Sequence, residues 1–126
     1  MSTHKAIVER YFDAVRAGDH ERILSYVTDD ILWEILGLVR VRGKQELDGV
    51  IDNDALAGRP TLTIDQLIEE GDHVVAAGSG SVGLAAGGRV EFLFCDIFTF
   101  RGDAISHLAS YQTNLNGTGL DFWQNR

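Results

Sequence analysis

Cysteine, proline and positive charge are all scarce in this sequence, and each shortage closes off possibilities. Cys95 is the only cysteine, so no disulfide can form within the chain. It lies in the apolar run from Glu91 to Phe100, where a thiol reads as a small buried hydrophobe. Pro60 is the only proline, and it ends a stretch from Asn53 that reads as a loop. Lys and Arg number 11 against 19 Asp and Glu, a net charge of −8. An acidic surface repels phosphate backbones and anionic lipid, so neither nucleic acid nor a membrane is an expected partner. The densest basic group, Arg40, Arg42 and Lys44, is too small to form a footprint.

Other signals are missing too. No apolar run approaches the roughly 20 residues that span a bilayer. The start, Met1-Ser2-Thr3-His4-Lys5, leads into charged, amphipathic sequence with no signal-peptide pattern, which makes the cytoplasm the expected location. His4, His20, His73 and His107 lie too far apart for metal-ligand spacing. Asp52-Asn53-Asp54 has Gly58 one position late for a calcium loop and lacks the later glutamate. Gly78-Ser79-Gly80-Ser81-Val82-Gly83 spells G-x-G-x-x-G, but another strand follows, with no helix N-terminus to hold a pyrophosphate. These glycines read instead as small residues that leave room for a ligand. No serine sits in a nucleophile-elbow context. No metal and no cofactor are expected.

What is present describes an ordinary folded domain. The chain has 126 residues, 44% of them hydrophobic and 24% charged, which fits one domain over residues 1–126. Ile7, Val8, Tyr11, Phe12, Ala14 and Val15 recur at helical spacing from Ala6 to Ala17, and Gly18 suits the stop. Asp19 is placed to cap a second helix carrying Ile23, Leu24 and Val27. Ile31 to Leu36 reads as a strand, Leu38 to Arg42 as a short hairpin arm, and Lys44 to Asp52 as a third helix. Four strands follow, Thr61–Glu69, His73–Leu84, Arg89–Phe100 and Ala104–Leu115, joined by tight turns into an antiparallel meander. The tail from Asn116 to Arg126 is mostly polar. Helices first and sheet afterwards make the class α+β.

In Glu91–Phe100 one parity holds Phe92, Phe94, Asp96, Phe98 and Phe100, and the other holds Leu93, Cys95 and Ile97. Both faces are apolar, so both need cover. The helices can cover one; a second copy of the chain, a homodimer through the sheet, is expected on the other. Asp96 stands out on the aromatic face between Phe94 and Phe98. Losing hydration there raises a carboxyl's pKa, and a protonated carboxyl can donate a hydrogen bond to a developing oxyanion. On the last strand Ile105, His107, Ala109 and Tyr111 share a parity, and His107 is expected to join Asp96.

The order of elements and three segments, ERYFDAVRAGDHERILSYVTDDILWEI, VRGKQEL and FCDIFTFRGDAISHLASY, resemble the nuclear transport factor 2-like superfamily over roughly residues 5–115. The likeness is nearest to its SnoaL-like (polyketide cyclase-like) and ketosteroid isomerase-like branches. It implies a curved antiparallel sheet which, with three helices in the N-terminal half, forms a cone around an internal pocket. Tyr11 and Asp96 match the tyrosine and aspartic acid that donate to the oxyanion in ketosteroid isomerases. The isomerase's general base falls on Ile35, and neighbouring Glu34 points to the opposite face. Ser110 stands where epoxide hydrolases of this fold carry an aspartate. Trp33 resembles the pocket tryptophan of SnoaL-like proteins.

The resemblance and the residues together predict a cofactor-independent enzyme moving protons on an apolar, carbonyl-bearing small molecule. Tyr11 and Asp96 would be oxyanion donors and His107 the acid/base. Trp33, Ile35, Phe94, Phe98 and Tyr111 would line the ligand pocket. The competing expectation is a non-catalytic ligand-binding or dimerisation module, favoured by Ile35 in the base position.

Overall fold

The computed structural model describes residues 3–51 and 56–115. The tail 116–126 and the whole Asp52-Asn53-Asp54 segment lie outside them. Helix α1 runs His4–Ala17 and α2 His20–Ser25; β1 spans Val27–Ile35 and β2 Val39–Arg42. Helix α3 follows at Lys44–Ile51, then β3 at Leu56–Glu70, β4 at His73–Leu84, β5 at Arg89–Arg101 and β6 at Ala104–Asn114.

Local chemistry sets these boundaries. The Thr3 side chain accepts the Ala6 N–H to open α1, and Gly18, at φ 63°, closes it by donating its N–H to the Ala14 and Val15 carbonyls. That left-handed conformation favours glycine. Asp19 accepts the Arg22 N–H and so starts α2 at once. Tight spacing of the two caps turns α2 back beside α1.

The strands form one curved, unclosed sheet in the order β2-β1-β6-β5-β4-β3, antiparallel except where β1 meets β6. The helices lie on its inner face, and the core between them includes Val8, Phe12, Ile31, Leu47, Val74, Phe98 and Ile105. Arg16 ties α1 to β3 by donating Nε and Nη2 to the Leu62 carbonyl at 3.1 and 2.9 Å. The His4 ring stacks on Phe100 with centroids 4.1 Å apart, fastening the start of α1 to β5. Among the described residues no helix is long and apolar enough to cross a membrane.

Three sequence expectations need correction. Residues 56–60 are already strand rather than loop; Pro60 is tolerated because β3 is an edge strand with a register shift between Ala57 and Thr61. The glycines of β4 do not make room for a ligand. Gly78 sits on the inner parity opposite Phe94, but a Cβ there would strike the Thr63 carbonyl, and one on Gly80 would meet Thr61 and Phe92. Their missing side chains let β3 curl over the inner face.

The third correction concerns β6. Phe100 pairs with Ile105 but Thr99 pairs with His107, so the register shifts and Ser106 is the extra residue of a bulge. An extra residue reverses every later side chain. Ile105 and Leu108 therefore face inward together, and the parity read from Ile105 onward fails after it.

Candidate functional site

The curl of β3 and the hairpin of α1 and α2 leave a cavity of about 1070 Å³ against the inner face of the sheet. Its wall is mostly aliphatic and aromatic, with Tyr11, Trp33, Asp96, Ser110 and Gln112 as polar groups among its lining. Each comes from an element that had to face inward. Tyr11 lies on the buried stripe of α1. Trp33 pairs with Leu108 across the parallel β1–β6 ladder. Asp96 pairs with Ser110, and Phe94 with Gln112, across β5–β6.

Two hydrogen-bonded groups result. Trp33 Nε1 donates to the Tyr11 hydroxyl oxygen at 3.0 Å. Ser110 Oγ donates to Asp96 Oδ1 at 2.5 Å, and Gln112 Nε2 donates to Ser110 Oγ at 3.1 Å. The serine has one proton, so its donation to the carboxylate and its acceptance from the amide set the direction of the chain.

Burial dominates the electrostatics. Asp96 is 7% exposed, and desolvation pushes its pKa up to about 7, against the Ser110 hydrogen bond, which lowers it. Burial also raises the Tyr11 pKa, opposed by the Trp33 hydrogen bond and reinforced by the nearby Asp96 charge. Tyr11 therefore stays a neutral phenol across the working range. Because Trp33 occupies its oxygen as an acceptor, its own proton serves another acceptor. The carboxyl, by contrast, populates both protonation states near neutrality.

The structure brings together only part of the sequence-predicted set. Tyr11, Asp96, Trp33, Ile35 and Phe94 all line the cavity. Phe98 does not: it is fully buried beneath the wall, with its ring edge-on to Tyr11 at 5.6 Å and Phe12 at 5.7 Å. His107 is on the opposite face of the sheet, because the Ser106 bulge turns it away from Asp96. There its Nε2 lies 2.8 Å from Glu34 Oε2, and Glu34 does point away from Trp33 and Ile35 as alternation requires. Tyr111 follows His107 outward; it pairs with Cys95 and is 51% exposed.

Ser110 and Gln112 take the places that alternation gave to His107 and Tyr111. His20 and Arg59 also line the cavity, and His20 Nδ1 lies 2.7 Å from Asp48 Oδ1. Among the described residues no cluster of three or more His, Cys, Asp or Glu has metal-binding geometry.

A profile of the SnoaL-like domain matches residues 8–108. The chain belongs to the SnoaL-like domain family. No curated protein matches it, but solved structures do. The LEH-like epoxide hydrolase of M. tuberculosis superposes with a TM-score of 0.77 at 20% identity, covering 87% of this chain and 82% of that one. An NTF2-like protein of unknown function from Burkholderia pseudomallei K96243 gives 0.79 at 20% identity, with 87% and 90% covered. A candidate ketosteroid isomerase from Kribbella flavida DSM 17836 gives 0.69 at 17% identity, with 87% and 77% covered. At such identities the likeness is one of fold: this SnoaL-like chain has the NTF2-like architecture that its sequence resembled.

Proposed function

We propose that this SnoaL-like protein catalyses proton transfer on an apolar, carbonyl-bearing small molecule, without a cofactor. The observation that carries the reading is Asp96: a buried carboxyl lining a cavity, its pKa raised by burial to about 7, with a neutral phenol lining the same cavity. A group whose pKa lies near the working pH is suited to both taking and giving a proton. With His107 facing away, Asp96 assumes the acid/base role and Tyr11 the oxyanion role.

The substrate carbonyl accepts the Tyr11 O–H. Asp96, as carboxylate, removes a proton from the carbon beside the carbonyl; the C–H bond breaks and its electron pair delocalises as an enolate held by Tyr11. The new Asp96 O–H then returns the proton to a different atom of the same molecule. Nothing is oxidised or reduced. Ser110 holds Oδ1 and so orients the carboxyl, and Gln112 holds Ser110.

Hydrogen–deuterium exchange tests this without knowing the natural substrate. Apolar enolisable ketones in deuterated water should exchange the hydrogens beside the carbonyl faster with the protein present. Asp96→Asn and Tyr11→Phe should each lower the rate about a hundredfold. Thermal stabilisation by the ketones with no exchange would make the protein a binding module instead, since ligand binding stabilises whether or not chemistry follows.

The reading includes a homodimer through the outer face of the sheet, where Leu36, Leu93 and Tyr111 are left exposed. It also places the chain in a reducing cytoplasm, with Cys95 a thiol. Sedimentation at micromolar concentration is expected to give a dimer; a clean monomer removes that part.

A further inference from the structure

Arg59, near the start of β3, lines the cavity. Among the described residues it forms no ion pair. The residue is exposed, but its side chain lies across Gly18, where a Cβ would sit 3.2 Å from both Cδ and Cζ and closer still to Nε. Gly18 is the residue whose left-handed conformation ends α1, so the turn that stops the helix also makes the seat for the guanidinium.

A guanidinium with no ion pair among the described residues, on the lining of an apolar cavity in a chain of net charge −8, is chemically matched to an anion. It offers paired N–H donors to a carboxylate, and such charge-assisted bonds are the stronger kind.

We infer that the ligand carries a carboxylate or similar anion remote from its reacting carbonyl, with Arg59 binding the anion while Tyr11 holds the carbonyl beside Asp96. The inference rests on the cavity being the ligand site, as proposed above. It turns the substrate class from any apolar ketone into an amphipathic keto acid.

Two probes separate the ideas: 9-oxodecanoate, with a methyl ketone and a carboxylate at opposite ends of an extended chain, and decan-2-one, with the ketone alone. By calorimetry the wild-type protein should bind the keto acid about tenfold or more tightly than the ketone, with the gap narrowing in salt. Arg59→Gln should close the gap. Arg10→Gln, which removes an exposed α1 cation away from the cavity, should keep it. A gap that survives Arg59→Gln overturns the assignment, as does equal binding of both probes by the wild type; in either case the cavity reading stands. Binding of neither probe overturns both.

Discussion

Ser110 donates a hydrogen bond to Asp96 across the β5–β6 pair at 2.5 Å, and that bond is the main force holding the carboxyl's pKa down against its burial. The pair exists because of a bulge. Without Ser106 as an extra residue, Ser110 would face outward and the inward position would belong to a residue with different chemistry.

Removing the donor should therefore act through proton affinity. Ser110→Ala is expected to move the midpoint of the exchange pH profile upward from about 7. Ser110→Thr, which keeps a hydroxyl, should restore it. A profile unmoved by Ser110→Ala would mean that the serine merely fills space.

Asp96 also links stability to pH. Its folded pKa of about 7 lies above the unfolded value of about 3.9. The folded state therefore holds an extra proton between those limits, and stability falls as pH rises through that window, levelling beyond it. For a group this buried the full span is on the order of 4 kcal/mol. Asp96→Asn keeps an acceptor for Ser110 and abolishes the titration, so its stability relative to wild type should rise from pH 4.5 to pH 8. Urea unfolding at both values checks it; parallel behaviour of the two proteins would contradict it.

Curling of β3 over the inner face depends on the bare Cα of Gly78. Gly78→Ala drives a methyl into the Thr63 carbonyl and should cost about 1–3 kcal/mol in urea unfolding. Gly87→Ala, in an open turn where nothing lies within 4 Å, has no such clash and reports only the strain of its φ of 104°. A smaller loss at Gly78 than at Gly87 would remove close strand approach as the reason for the glycine.

Much of this architecture was legible in the residues. Helical spacing of Ile7, Val8, Tyr11 and Phe12, with Gly18 and Asp19 between two helices, specified the hairpin because caps and periodicity are local properties. Alternation in β5 put Asp96 on the aromatic face for the same reason. His107 and Tyr111 were misassigned, because the register of β6 depends on pairing with β5 and one unpaired serine reverses it. Phe98 shares the parity of Phe94 yet lies beneath the wall; alternation gives a side but not a depth. Arg59, His20 and Asp48 come from separate elements, so no spacing could announce them.

The central claim is that Asp96 is a buried carboxyl exchanging its proton near neutrality, and carbon NMR of the side-chain carboxyl tests it most directly. With the Asp96 resonance assigned by its loss in Asp96→Asn, the titration midpoint is predicted near pH 7. A midpoint in the ordinary aspartate range, around 4, would contradict the account.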